Sequence, residues 1–415
     1  MLATLLCAAA TLCVAPSPSE NAPGEDDRMP RLGTWHAWLD CPGGDLPFGL
    51  QLEAVDGGLF ANILNGPEIQ RVERVEVDGE HIVLHLDPYD ATLQAQISAD
   101  GARLDGQWVR DRGEASPTTL EFHATFGARP RFQLVEMKRV VDFELDGRWK
   151  VQFSESAEHA VGIFRTKDVL AQGTFLTTLG DYRFNAGVFD GQVLELSCFD
   201  GAHAFLFEAH AQHDGSLKGK FWSRDVWVED WTAVRDAEVA LPDPFGLTRW
   251  TGAVPLSELA FPDLEGAPRR LDDPAFAGQA RLIVVFGSWC PNCNDETQYL
   301  VELHDRYADR GLSILGLAFE FGDDLARQTR TLQRYKAHHG ARYPVLIAGT
   351  ADKAQASAAF PLLDRVRAFP TTIFMDADGA VAAIYTGFSG PATGAEHQRL
   401  RDAFEARIER LLRAR

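Results

Sequence analysis

Residues 280–297 read Ala-Arg-Leu-Ile-Val-Val-Phe-Gly-Ser-Trp-Cys-Pro-Asn-Cys-Asn-Asp-Glu-Thr, and no other stretch restricts the fold as strongly. The unbroken apolar run 282–286 predicts a strand buried on both faces. Gly287 and Ser288 turn the chain, and Pro291 suits the first turn of a helix, where its missing N–H costs nothing. Cys290 and Cys293 therefore stand one helical turn apart at a helix start. There the free backbone N–H groups and the helix dipole favour a thiolate on the first cysteine. Two cysteines so placed form a dithiol that can close into a disulfide. Cys290 is expected to attack and Cys293, deeper in the helix, to resolve. A metal site is not expected, because a lone CxxC supplies two of the four ligands zinc needs and no second CxxC or CxxH follows. No cofactor is expected either.

The chain has 415 residues, enough for two or three cores. A formal net charge of −20 argues against nucleic acid and against an anionic membrane face as partners. Residues 1–15 are almost wholly apolar and residues 16–27 polar and extended, the pattern of a leader for export, although no Lys or Arg precedes the apolar run. Lipidation at Cys13 is disfavoured by Leu12, where a small residue is wanted. No other run reaches the ~20 apolar residues of a membrane span. Cys41 and Cys198 lie far apart, and they are read as free thiols, with pairing in an oxidising compartment as the alternative.

Between Gly33 and Asp236 short stretches alternate apolar and polar residues. Asp-Gly pairs punctuate them at 56, 78, 100, 146, 190, 200 and 214. Each pair suits a tight hairpin, so the region is expected to be all-β and antiparallel. Segments beginning at Gly33, Gly58, Asp78 and Asp100 recur at Gly147, Gly173, Asp190 and Asp214, a nearly constant offset that predicts two copies of one β unit. Whether they form two sandwiches or one shared barrel stays open. The histidines here, including His81 and His85, read as surface or structural residues, and Trp222, Trp227 and Trp231 as core and rim. Residues 241–254, with Pro242, Pro244 and Gly246, read as a linker. The expected organisation is a leader and flexible start over 1–28, β repeats over 29–130 and 131–240, the linker, and an α/β domain over 255–415.

In that last part a lead-in hairpin near 262–273 precedes a strand at 281–286, a helix at 291–309 stopped by Gly311 and a strand at 312–319. A helix at 323–338, a strand at 343–347 and an irregular segment to Phe369 follow. Strands at 371–375 and 380–385 and an amphipathic helix at 395–412 complete the order. Glu296 falls three residues after Cys293, on the same helix face. Glu320, at the end of the second strand, is a further carboxylate where strand ends surround a site.

This order, with Phe286-Gly-Ser-Trp-Cys-Pro-Asn-Cys293, Glu296 and Phe369-Pro-Thr-Thr-Ile-Phe374, resembles the TlpA/ResA-like thiol–disulfide oxidoreductases of the thioredoxin superfamily. The resemblance covers about 255–415. It implies that Glu296 tunes the cysteines and accepts a proton, that Pro370 is a cis-proline packed on the pair, and that Phe369 offers backbone groups to an extended substrate. Trp289 would flank the site. It further implies an exported, periplasmic enzyme that reduces disulfides of a client protein with electrons from an upstream donor. Two alternatives stand beside it. The lead-in Phe261-Pro-Asp-Leu-Glu-Gly266 is similar to the peroxiredoxin branch of thiol peroxidases, against which Gly287 stands where a Thr is expected. In the other, the duplicated β region captures a partner and the redox domain is accessory.

Overall fold

The computed structural model describes residues 28–55, 58–113, 117–133 and 143–414. The leader-like segment through residue 27, with Cys7 and Cys13, and the Asp56-Gly57 turn lie outside the described residues. Among the described residues no helix is long and apolar enough to cross a membrane.

The all-β expectation is met by two curled antiparallel sheets. In the first, nine strands run as a meander from Gly33–Cys41 to Thr118–Phe126, and the first strand pairs with the last as well as with its successor. Strict alternation drives the curling: in Gly33–Cys41, Trp35, Ala37 and Leu39 point inward while their neighbours face out. Trp35, Phe48, Trp108 and Phe122 fill the interior. The second sheet, from Gly147–Phe153 to Trp227–Arg235, closes fully, because Ala160–Lys167 pairs with both Gly147–Phe153 and Leu170–Thr177. Closure leaves no sheet edge to aggregate. Phe153, Phe175, Phe207, Phe221 and Trp231 fill this barrel. The choice left open between two sandwiches and one shared barrel therefore resolves as two separate barrel-like sheets, joined where the tilted rings of Phe199 and Phe48 meet at 4.6 Å.

The Asp-Gly pairs act mostly as expected. Gly79 and Gly215 take φ of 60° and 82° between paired strands. Asp146-Gly147 does not: it opens a strand, and Asp146 accepts a hydrogen bond from the backbone N–H of Thr166 at 2.7 Å. Cys198 is wholly buried, Cys41 half-buried, and both are free thiols.

The C-terminal part is a five-stranded mixed sheet. Its elements are β1 (Ala280–Phe286), α1 (Pro291–Tyr307), β2 (Leu312–Glu320), α2 (Leu325–His339), β3 (Val345–Thr350), α3 (Lys353–Ala359), β4 (Thr371–Asp376), β5 (Val381–Thr386) and α4 (Ala395–Arg413). The sheet order is β3-β2-β1-β4-β5, with β2 and β3 parallel to β1 and β4 antiparallel to it. All seven residues of β1 are buried, as a central strand covered on both faces requires. Leu400, Phe404, Ile408 and Leu411 place one stripe of α4 against the sheet. The segment read as irregular before Phe369 contains α3, capped by the Asp352 carboxylate on the N–H of Gln355. Residues 241–254 pack on this sheet, with Phe245 edge-on against Tyr385 at 4.8 Å.

Candidate active site

Strand β1 delivers the chain to a turn with no room for a side chain at Gly287. A Cβ there would come within 2.2 Å of Trp289 Nε1 and 2.9 Å of the Phe319 carbonyl oxygen. Ser288 follows, donating its backbone N–H and its hydroxyl to Glu320 at 2.8 and 2.6 Å. Cys290 is the N-cap of α1, with Pro291 at its first position. Cys290 is 7% exposed and Cys293 not at all, and both are thiols. A hydrogen bond from the Cys293 thiol, with backbone N–H groups of Cys293 and Asn292, holds the Cys290 thiol below its ordinary value against the opposing effect of burial. Burial pushes Cys293 far up. The two cysteines are thus unequal: one lines the cavity with its thiol lowered, the other is hidden with its thiol raised.

The Phe369–Pro370 peptide bond is cis, and the Phe369 carbonyl lies 3.3 Å from the Cys290 sulfur, which donates to it. Trp289 caps the opposite side. Its indole N–H donates to the Phe319 carbonyl at 2.8 Å and its ring meets Phe369 edge-on at 5.5 Å.

Two carboxylates flank the pair. Glu296 is 1% exposed. Its Oε1 accepts from Thr372 Oγ1, while Oε2 is buried with no hydrogen-bond partner. Burial pushes this carboxyl up to about 8, against the lowering effect of Thr372. Glu320 is likewise pushed up by burial, to about 7, opposed by Ser288. Glu296 thus gains a proton on folding. Stability from this group is full below its unfolded value near 4.5 and falls as pH rises toward about 8. The Glu296→Gln variant is expected to lose that dependence. The difference between wild type and variant in urea-unfolding free energy should change by about 3–5 kcal/mol from pH 4.5 to pH 8. An unchanged difference across that range would mean that the carboxyl is not held neutral.

The barrels reach directly into this site. Asn292, between the cysteines, donates its amide to the Asp181 carbonyl at 3.2 Å. Asp295, next on α1, pairs with Arg183 of the second barrel, which also pairs with Glu68 of the first and lies 3.5 Å from Asp200. All four side chains are nearly or wholly buried. Burial drives Asp295 up to about 6, opposed by Arg183. Asp200 is drawn low despite burial, chiefly by His203 and Arg183. Arg110, buried in the first barrel, donates to the Trp289 carbonyl at 2.9 Å. Helix α2 adds a lining of its own: Tyr335 donates to the Cys293 carbonyl at 3.1 Å, and His339 meets Asn294 at 2.7 Å.

The structure therefore gathers Trp289, Cys290, Cys293, Glu296, Phe369 and Pro370 around one point, with Glu320 holding the turn before Cys290 through Ser288. Sequence reasoning missed Arg183, Arg110, Thr372 and Tyr335. Thr372 sits inside the Phe369–Phe374 string already singled out, so a search for partners of Glu296 could have reached it. Nothing local marks the two arginines.

The strand order, the CxxC at the start of α1 and the proline loop beside it define a thioredoxin-like domain. Residues 253–384 match the model of the AhpC/TSA family. Over 125 residues the chain is 28% identical to the thiol-disulfide oxidoreductase ResA of Geobacillus thermodenitrificans (strain NG80-2), covering 30% of this chain and 63% of that relative. Over 71 residues it is 37% identical to the thiol:disulfide interchange protein DsbE of Vibrio cholerae serotype O1, covering 17% of this chain and 36% of that relative. A solved thiol:disulfide interchange protein of Chlorobium tepidum TLS aligns at 22% identity and a TM-score of 0.29, over 37% of this chain and 92% of that one. The C-terminal region is thus similar to ResA/TlpA-like thiol–disulfide oxidoreductases, and the chain spans 63% of the length of the first curated relatives it matches.

Proposed function

We propose that the protein is a thiol–disulfide oxidoreductase that reduces disulfides of exported proteins through Cys290 and Cys293. The observation that carries this reading is the inequality of the two thiols at the start of α1, one lowered and reachable, the other raised and buried. The Cys290 thiolate attacks one sulfur of a client disulfide, the client S–S bond breaks, and the departing thiolate takes a proton. Cys293 then loses its proton and attacks Cys290 Sγ, releasing the second client thiol and leaving a Cys290–Cys293 disulfide. Glu296, one turn on and poised near 8, exchanges that proton, while its neutral form avoids a second buried charge beside Cys290. The Phe369 carbonyl and Trp289 orient the client chain. An upstream dithiol donor returns the pair to the reduced state. The apolar first fifteen residues support export.

The same reading divides the chain into repeats over 29–130 and 131–240, a linker over 241–254 and the redox domain over 255–415. It makes the repeats a duplication. In support, Trp35 and Trp149 are each buried at the start of a barrel, and each donates its indole N–H to the carbonyl four residues earlier, at 3.0 and 2.9 Å. A thiol peroxidase is the second reading, favoured by the AhpC/TSA match. Full-length protein is expected to accelerate insulin reduction by dithiothreitol and to leave hydrogen peroxide consumption near the blank rate. Rapid peroxide consumption without insulin reduction would reverse the ranking.

A further inference from the structure

A cavity of about 980 Å³ opens above Cys290, and half of its wall belongs to the second barrel. The barrel residues on that wall come from a single end of it. Phe153 closes one strand, Ala160 begins the next, Thr177 ends a third, and Phe205 lies beside the start of Ala204–Ala211. Phe153 and Phe205 are also core residues of the barrel, with Tyr182 half-buried among them, ring centroids 5.7 and 5.4 Å away. The cavity is therefore the aromatic mouth of a barrel turned toward a reactive thiol. Leu179, 45% exposed, stands on its rim.

The opposite rim is cationic. Lys353, which begins α3, and Arg365 both line the cavity and are exposed. Neither has an ion-pair partner among the described residues. They place two positive charges on this side of the cavity, across from Glu158 on the barrel side.

We infer that this mouth is the substrate-recognition site, taking an extended polypeptide segment that places a large apolar side chain against Tyr182 and Phe205 and an acidic residue against Lys353 and Arg365. The inference rests on the proposed dithiol chemistry only for what happens next, since the segment so held would present its disulfide to Cys290. The barrel is then part of the active site. Its attachment through Arg183–Asp295 and Asn292–Asp181 fixes the distance between mouth and thiol. The volume stands at the upper end for small-ligand sites and suits a side chain with its flanking backbone.

The test uses full-length protein and fluorescein-labelled decapeptides with serine in place of cysteine, so that binding is read without any redox step. The reference peptide carries Phe and two Glu flanking the serine. Replacing its Phe by Ala, or its Glu residues by Lys, is expected to weaken anisotropy-detected binding at least tenfold. In the Lys353→Glu variant the Glu-over-Lys preference should invert, whereas misfolding would weaken both peptides alike. Leu179→Asp, on the exposed rim, should weaken the reference peptide about fivefold. Indifference of binding to Phe, to peptide charge and to both variants would overturn the inference. So would displacement of the peptide by micromolar glutathione disulfide together with indifference to Phe, because the site would then serve a small anionic disulfide. If these binding preferences hold while insulin reduction is absent, the recognition site stands and the dithiol reading fails.

Discussion

Cys290→Ser is expected to lower disulfide-reducing turnover at least about a thousandfold, because it removes the only reachable sulfur of the pair. The hydroxyl left behind ionises several pH units higher than a thiol and cannot form the mixed disulfide. Cys293→Ser should also stop turnover, but at a different stage. Cys290 would still attack, and the serine could not release it, so a covalent adduct with client protein should accumulate. The hydrogen bond from Cys293 is the first cause of the lowered Cys290 thiol. A Cys293→Ala variant, which leaves no donor there, should therefore show slower alkylation of Cys290 at neutral pH, with its titration moved upward. Band shifts on non-reducing gels and iodoacetamide rates read the two effects separately. Full turnover by the Cys290 variant would remove the dithiol mechanism.

The second large effect concerns stability. Arg183 is the shared cation of Asp295, Glu68 and Asp200, which come from all three parts of the molecule. Removing one partner of a buried charge cluster costs about 3–5 kcal/mol, since the remaining charges stay desolvated and unpaired. Arg183→Met is expected to lower stability by that amount at pH 7.5. The loss should shrink as pH falls toward 5, where protonation relieves carboxyls that burial already raises, Asp295 to about 6. The double variant Arg183→Met, Asp295→Asn should recover part of the loss at pH 7.5, because the partners couple. Urea unfolding at the two pH values checks this. A loss below about 1 kcal/mol at pH 7.5 would mean the cluster is solvated in solution.

What was legible in the sequence follows from where the physics is local. The order of β1, α1, β2, α2, β4, β5 and α4 could be read because each carries a period or an apolar run of its own. Cys290, Cys293, Glu296 and Pro370 could be placed because helix spacing and one short string hold them. Helix α3, Lys-Ala-Gln-Ala-Ser-Ala-Ala, was lost because only Ala356 is buried in it and alanine gives no hydrophobic stripe. Asp146-Gly147 misled because the pair signals a positive φ, which here opens a strand. Arg183 and Arg110 were invisible for a different reason. Glu68 and Asp295 for Arg183, and Ala202 and Trp289 for Arg110, lie more than ninety residues away, and a lone arginine reads as solvated until the domains are docked. The purpose of the β region was hidden likewise, since its tie to the redox centre exists only as a surface between domains.

The most direct test of the central claim is a quantitative thiol map of full-length protein before and after one equivalent of an oxidised client, quenched in acid and alkylated for peptide mass analysis. One intramolecular Cys290–Cys293 disulfide should form per client disulfide reduced, with Cys41 and Cys198 still alkylatable as free thiols. Reduction of the client with Cys290 and Cys293 both remaining free thiols, or an oxidised Cys290 that never bonds to Cys293, would contradict it.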